Sequence, residues 1–411
     1  MTLTMRVLVG LVLGFAIGLA LSGNPSPAPA AVIAVLTPVG TIFVNLIRMT
    51  VVPLVVALLI ASLGSTAASA GLGRIGSRAL GIALILLTTA ALGSVVATQS
   101  LLAYLPIDQS AALALQGPAT PTTAGPAAVQ AAPTVASWFV DLVPANVIKA
   151  AADGSMLPLI VFSVMFGLTL AHLDPVRRDP VLRVVEGVAD TMQRLVTAVL
   201  ALAPIGVFAL AVPLATRLGW SAAGAVAIYV ALVVALTVVA VAVLLYPLGI
   251  LAGPLSAAAF LSYCAPSQAI AFASRSSLAA LPAMVRSAEQ AGLPSSATGV
   301  VLPLAAAVYH FGAAVAQTVG VLFLAHLYNV PLSPFQLASV TVAVVLASFA
   351  VPGIPGGSII AMVPAMTVAN LPLEGMGILL AVDTIPDMFR TTANVTGSMV
   401  LTAILPQPTA Q

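Results

Sequence analysis

Near its end the chain reads Asp383-Thr-Ile-Pro-Asp387-Met-Phe-Arg390-Thr391-Thr392-Ala-Asn394-Val-Thr-Gly-Ser398, between long runs of Leu, Val, Ala, Ile and Met. The spacings of 4, 3 and 4 residues put Asp383, Asp387, Arg390 and Asn394 on one face of a helix. Ionisable groups at membrane depth are costly and usually mark a substrate or ion pathway. Two carboxylates and a guanidinium in one stripe can hold a small zwitterion or dianion, so the stripe is the predicted functional site.

The composition indicates an integral membrane protein. Of the 411 residues, 61% are hydrophobic and 6% are charged, whereas a soluble domain has about 25% charged residues. A net charge of +2 without a basic run gives no reason to expect nucleic acid. The expected partners are therefore the lipid bilayer and a small anionic or zwitterionic substrate.

The sequence also gives no sign of a metal or cofactor site. Its single cysteine, Cys264, excludes an internal disulfide and a cysteine-based metal site, and its three histidines are too scattered for a ligand motif. Phosphate loops, dinucleotide fingerprints and Ser/His/Asp signatures are not found in the sequence. We expect neither a cofactor nor catalytic residues, so an intramembrane enzyme is disfavoured.

Apolar runs of about 20 residues predict membrane helices at 6–22, 32–62, 78–104, 136–172, 186–214 and 220–250. The first run could instead be the core of a signal peptide. It is long for such a core, and a membrane helix is the preferred interpretation. Basic residues fall at alternate ends of these helices, which predicts cytoplasmic N- and C-termini and an extracellular Ala/Pro/Thr-rich loop at 106–135.

Beyond residue 250, two apolar segments are interrupted by small, polar and kink-forming residues. They run from Tyr263 to Pro282 and from Ala347 to Ser358. Irregular backbone survives at membrane depth only where protein buries it or where it lines a cavity. Paired broken segments are the best sequence pointer to a transporter site. We therefore predict two re-entrant hairpins, followed by helices at 299–328 and 375–405.

These segments resemble a known family, the dicarboxylate/amino acid:cation symporters, or glutamate transporter family. The tip Ser274-Arg-Ser-Ser277 is similar to its serine-rich first hairpin, and Ala347-Ser-Phe-Ala-Val-Pro-Gly-Ile-Pro-Gly-Gly-Ser358 resembles its second hairpin. The segment from Asp383 to Gly397 resembles its last helix, where Asp-x-x-x-Asp-x-x-Arg-Thr-x-x-Asn-Val-x-Gly recurs. The resemblance covers nearly the whole chain in the same order.

The resemblance implies an all-α integral membrane protein with eight transmembrane helices, two re-entrant hairpins and inverted repeats. It further implies an elevator mechanism, a homotrimer and a bacterial cell inner membrane location. Helices 1–2 (residues 1–76) and 4–5 (136–218) would form a scaffold. Helix 3 (77–105) and residues 219–411 would form a moving transport domain, with hairpin 1 at about 254–295, helix 7, hairpin 2 at about 336–372 and helix 8.

The resemblance also implies roles for individual residues. Arg390 would pair with the side-chain carboxylate of aspartate or glutamate, and Asp387 would hold the α-amino group. The α-carboxylate would be held by Asn394 and the backbone of Ser276 and Ser277. Further contacts would come from the Thr391 hydroxyl and from the second hairpin tip, at Gly353, Ile354 and Gly356. The residue chemistry agrees in kind, since a guanidinium offers a planar fork to a carboxylate.

One segment departs from the family pattern. Tyr309-His310-Phe311-Gly312-Ala313 stands where sodium-coupled members carry Asn-Met-Asp-Gly-Thr. Two sodium-binding aspartates of the family are thus replaced, by Phe311 and by Ser398, so we expect no metal site and predict proton coupling. The candidates for the proton are Asp383, which would lack its neighbouring cation, and His310, whose imidazole titrates near neutral pH in water. Tyr309 could complete a relay.

The predicted function is proton-coupled import of aspartate or glutamate. Asp387 favours a substrate with an ammonium group, and a neutral amino acid would leave Arg390 unpaired. C4-dicarboxylate or neutral amino acid symport, sodium coupling through a remaining site of backbone carbonyls, and a passive channel stay open. The structural alternative is that Arg390 and Asp387 form only an internal salt bridge between helices.

Overall fold

The structure is a computed structural model, and it describes residues 3–22, 28–68, 73–105, 140, 142–153, 155–218, 220–294, 298, 301–351 and 356–405. Every regular element within these ranges is helical. The predicted extracellular loop at 106–135 lies outside the described residues, as do Gly353 and Ile354 of the predicted site.

The first half of the chain forms a series of helices, most of them long and apolar. They are α1 (Leu3–Leu21), α2 (Ala28–Ala68), α3 (Gly73–Tyr104), α4 (Val147–Ala152), α5 (Met156–Ala171), α6 (Pro175–Ala201), α7 (Ala203–Leu218) and α8 (Trp220–Ala240), which continues through a π-helical turn (Val241–Leu245) into α9 (Tyr246–Ala252).

Two of the predicted spans differ from the structure. The predicted helix 136–172 is divided, because Asn146 caps α4 with its side chain and a new helix begins after Ser155. The predicted helix 186–214 begins earlier, at Pro175, and is bent by 55° between α6 and α7. Pro204 follows this bend and has no N–H to donate to the preceding turn, which explains why the helix breaks there.

The described residues include four helices long and apolar enough to cross a membrane, or five if the bent pair counts as one span. The four are Pro29–Ser65, Arg78–Tyr104, Gly224–Leu251 and Ala305–Leu327. The chain is therefore an integral membrane protein, as the composition predicts. The expected total of eight transmembrane helices stays a prediction.

α1 packs along α7 through a row of small residues. Gly10, Gly14 and Gly18 each lie so close to α7 that a Cβ atom would clash with its backbone or side chains. Glycines four residues apart allow such close helix contacts in membranes. The opposite face of α1, with Val12 and Leu13, is exposed, as expected for a surface in contact with lipid.

The second half contains two hairpins and two interrupted helices. The elements are α10 (Ala257–Ser274), α11 (Ser277–Gln290), α12 (Leu302–Val308), α13 (Phe311–Leu327), α14 (Pro334–Ala347), α15 (Gly357–Ala361), α16 (Val363–Val368), α17 (Gly375–Val382) and α18 (Thr384–Ile404). α10 packs on α11 and α14 packs on α16, which is the arrangement predicted for the two hairpins.

The two helices predicted after the hairpins are both interrupted. The first breaks at Tyr309–His310, where Tyr309 is extended, and the second breaks at Asp383. Between them, α13 is the central helix and packs on α3, α8 and α18. α13 is almost entirely buried. The polar residues His310 and Asp383 at the two breaks therefore lie next to an apolar core.

Candidate binding site

A cavity of about 380 Å³ lies where the polar face of α18 meets the first hairpin tip. Its volume is in the range of small-molecule sites. One wall carries most of its polar residues: Arg275, Ser276, Ser277, His310, Ser358, Asp387, Arg390, Thr391 and Asn394. The opposite wall comes from α2 and α6 and includes Ser62, Ser65, Glu186 and Gln193. The cavity therefore separates two groups of helices.

Arg390 is held by both carboxylates of the predicted stripe. Its Nη1 and Nη2 atoms donate to the two oxygens of Asp383 at 2.8 and 2.9 Å, and Nη2 also donates to Asp387 Oδ1 at 2.6 Å. The arginine is 2% exposed, so these contacts are almost fully desolvated. Bidentate, charge-assisted pairs of this kind are strong and fix the orientation of the guanidinium.

This arrangement corrects one sequence argument. The expectation was that Arg390 would lack a partner unless the substrate were acidic, but Asp383 and Asp387 already pair with it. The two aspartates do not have the same position, since Asp387 lines the cavity and Asp383 does not. Asp383 thus binds the guanidinium away from the cavity, and Asp387 presents a carboxylate beside it.

Asn394 has a structural role that the sequence did not reveal. Its Oδ1 atom accepts hydrogen bonds from the backbone N–H groups of Gly312 and Ala313, at 2.7 and 3.3 Å. The side chain therefore caps the start of α13 and joins it to α18. Only its NH₂ group is left for a ligand, which agrees with the predicted role as a donor to a carboxylate.

The first hairpin tip turns sharply at Arg275, whose φ of 55° is left-handed. Ser276 caps α11 by accepting a hydrogen bond from Ala279 N, while its own N–H donates to Ser274 Oγ at 3.3 Å. Ser277 is the first residue of α11, so its N–H has no partner within the helix. Of the two predicted backbone donors, Ser277 is the one that a ligand can use.

His310 connects the break before α13 to the second hairpin. Its Nδ1 atom lies 3.1 Å from the carbonyl oxygen of Ser348, so Nδ1 carries the proton in this hydrogen bond. The residue is buried and lines the cavity. Tyr309 is different: it does not line the cavity, and its hydroxyl bonds to no described residue. The relay proposed for Tyr309 is therefore not formed in this structure.

Thr391 and Gly356 differ in how they relate to the cavity. Thr391 lines it, and its hydroxyl lies 3.4 Å from Asp387 Oδ1. Gly356 has a left-handed φ of 75° and precedes α15 as its N-cap, but it is not among the lining residues. The turn needs this glycine for its conformation, and the neighbouring Ser358 reaches the cavity instead.

The positions corresponding to the family's sodium sites have other surroundings here. Phe311 is fully buried against Gly397, where an added Cβ would lie 3.0 Å from the Cβ of Phe311. The Ser398 hydroxyl donates to the Asn394 carbonyl of its own helix at 3.1 Å. In the described part of the chain, no three His, Cys, Asp or Glu side chains cluster as a metal site would need.

The polar lining residues that were not foreseen are Ser62, Ser65, Glu186, Gln193, Arg275 and Ser358. Ser358 ends the hairpin motif used for the resemblance and could have been found there. Glu186 and Gln193 are seven residues apart and thus share a face of α6. No local pattern indicates that this face lies opposite α18.

The model of the sodium:dicarboxylate symporter family matches residues 3–407. The chain is 29% identical over 404 residues to the proton/glutamate-aspartate symporter of Escherichia coli K12, covering 98% of this chain and 92% of that protein. It is 28% identical over 408 residues to the proton/sodium-glutamate symport protein of Bacillus caldotenax, with 98% and 93% covered. A C4-dicarboxylate transport protein of Anaeromyxobacter sp. strain K is 29% identical over 405 residues, with 97% and 88% covered.

Proposed function

Because the chain belongs to the sodium:dicarboxylate symporter family, we propose that it is a secondary active symporter that imports aspartate or glutamate together with protons. The family consists of symporters and not of enzymes. Acidic substrates are named for the glutamate–aspartate relatives and for the C4-dicarboxylate relatives alike. The substrate within this class is inferred from the residues that line the cavity.

The cavity supplies one group for each charge of an acidic amino acid. Asp387 offers a carboxylate to the ammonium group, and Arg390 offers its guanidinium to the side-chain carboxylate. The Asn394 NH₂ group and the Ser277 N–H would hold the α-carboxylate. Thr391 sits beside Asp387 and adds a hydroxyl.

The observation that carries the proposal is the bidentate pair between Asp383 and Arg390. An acidic substrate that forms a bidentate pair with the Nη atoms of Arg390 would compete with Asp383 for them. A proton on Asp383 removes the charge of this competitor and frees the guanidinium for the substrate. Binding of the proton and of the substrate would then favour each other, as thermodynamic linkage requires for coupled transport.

Sodium coupling has less support from the residues present. Sodium prefers several hard oxygen ligands, whereas Phe311 contributes a phenyl ring and the Ser398 hydroxyl donates to its own helix. These side chains do not fit the two sodium sites of the family. A site built from backbone carbonyls alone is the sodium-dependent alternative. Uptake that requires a sodium gradient would support it.

The packing supports the proposed division into a scaffold and a transport domain. α1 packs on α7, and α2 packs on α5 and α6, all within residues 1–76 and 136–218. α3, α8 and α18 surround α13 within residues 77–105 and 219–411. The cavity lies between these groups. We propose that the second group moves relative to the first in an elevator mechanism, within a homotrimer in a bacterial inner membrane and with both termini cytoplasmic.

The test is uptake of labelled L-aspartate into proteoliposomes, with an inward proton gradient and an inward sodium gradient imposed separately. We expect uptake with protons alone. In the Asp383→Asn variant, binding of L-aspartate should lose its pH dependence, whereas wild-type binding should weaken as the pH rises, by up to about tenfold per pH unit. Strict dependence on sodium, or unchanged pH dependence in the variant, would contradict this coupling.

The second candidate is a C4-dicarboxylate symporter, which the Anaeromyxobacter relative favours. A plain dicarboxylate has no ammonium group to pair with Asp387. Its negative charges would be repelled by the Asp387 carboxylate. Competition by succinate in the same proteoliposomes separates the two candidates. Stronger inhibition by succinate than by L-glutamate would favour the dicarboxylate, and uptake that no gradient can drive above equilibrium would indicate a passive channel.

A further inference from the structure

Ser358 is a buried hydroxyl residue in the wall of the cavity that no role described so far uses. It lies near the start of α15, two residues after the left-handed Gly356, and it lines the cavity together with Asp387 and Arg390. The residue is 3% exposed. Its Oγ atom makes no hydrogen bond to any part of the chain that the structure describes.

The position of Ser358 is fixed by the core. Gln317 of the buried helix α13 donates from Nε2 to the Ser358 carbonyl oxygen at 3.1 Å. The buried hydroxyls of Thr318, Ser348 and Thr402 each bond to a carbonyl four residues earlier, whereas those of Thr98, Thr237 and Ser267 also have no partner among the described residues but do not line the cavity. A buried polar group without a partner is unfavourable and calls for an explanation, and a ligand in the adjoining cavity provides one.

We propose that the Ser358 hydroxyl donates a hydrogen bond to a carboxylate of the bound substrate and contributes to its selection. This inference rests on the proposed function, because it assumes a substrate with a carboxylate. A hydroxyl suits that partner, since it can donate without adding a charge to a cavity that is already lined by Asp387, Arg390 and Arg275. Ser358 would thus supply a contact from the second hairpin, beside the donors of α11 and α18.

The test compares binding of L-aspartate and of succinate to the purified wild-type protein and to the Ser358→Ala and Ser358→Cys variants. We expect Kd for the ligand that the wild type binds to rise about tenfold in Ser358→Ala, because a hydrogen bond to a charged group is lost. The weak thiol donor of Ser358→Cys should give an intermediate value. The Tm of the ligand-free protein should stay unchanged, since the hydroxyl has no partner there.

Ser163→Ala is the matched control, because the Ser163 hydroxyl is equally buried but bonds to Leu159 O within α5, away from the cavity. We expect this variant to bind as the wild type does. If the wild type binds L-aspartate and Ser358→Ala binds it within about twofold, the Ser358 inference is wrong while the proposed function stands. If the wild type binds neither probe, the proposed function fails and the inference fails with it.

Discussion

Two helices are interrupted beside the cavity, and the residues at the two interruptions differ in chemistry. The break before α18 holds Asp383 within a cluster of two carboxylates and a guanidinium. The break before α13 holds Tyr309 and His310 and is followed by Phe311, with no carboxylate in its stretch. The buried charges thus lie at the break where each has a partner of opposite charge. On the proposed function, α18 would carry both substrate recognition and coupling, and α13 would support it.

Removal of the guanidinium should have the largest effect. In Arg390→Ala, Asp383 and Asp387 would be left buried without a cation, and breaking such a cluster costs about 3–5 kcal/mol. We expect binding of L-aspartate to fall below detection. Arg390→Lys, which keeps the charge but not the fork, should retain weak binding. Full affinity for L-aspartate in Arg390→Ala would mean that Arg390 does not bind the substrate and that the role proposed for α18 is wrong.

The contact between the two helices can be tested at Gly312. A Cβ atom there would clash with the Arg390 carbonyl and lie 2.9 Å from the Cβ of Ala393. Overpacking of this kind costs about 1–3 kcal/mol, so Gly312→Ala should lower the Tm and disturb the Asn394 cap. Gly81→Ala is the control, because a Cβ at Gly81 meets no atom within 4 Å. Equal Tm values for both variants would show that the two helices are not tightly coupled.

The choice between amino acid and dicarboxylate should depend on Asp387. In Asp387→Asn, the ammonium group of aspartate loses its charged partner, and a plain dicarboxylate loses a repulsive neighbour. We expect the ratio of L-aspartate to succinate affinity to fall by about tenfold, or about 1.4 kcal/mol. The measurement is competition binding on the purified protein. An unchanged ratio would mean that the ammonium group is bound elsewhere.

The smallest effect is expected at His310. His310→Gln loses the hydrogen bond to the Ser348 carbonyl unless the amide replaces it, and one such neutral bond contributes about 0.5–1.5 kcal/mol. We expect uptake driven by a proton gradient to continue at a reduced rate. If His310→Gln binds L-aspartate normally but no longer accumulates it with a proton gradient, proton coupling depends on the break before α13 and not on the break before α18.

The sequence predicted the helical hairpins and the polar face of α18 because both depend on local signals. Spacings of three and four residues define a helix face, and runs of Ser, Gly and Pro interrupt apolar helices. The bidentate pair between Asp383 and Arg390 was harder to foresee, because it depends on side-chain conformation. The Asn394 cap and the wall formed by Glu186 require knowledge of which distant helices meet, and no local spacing contains that information.

The glycine row of α1 has a consequence for the biogenesis of the protein. α1 ends at Leu21, but its packing partner α7 begins only at Ala203. At a synthesis rate of about 5–20 residues per second, the ribosome needs on the order of ten seconds or more to produce the intervening chain. During this interval we expect α1 to reside in the bilayer without the helix that covers its glycine face. The apolar composition of α1 favours this state, and its packing on α7 can form only after α7 has been synthesised.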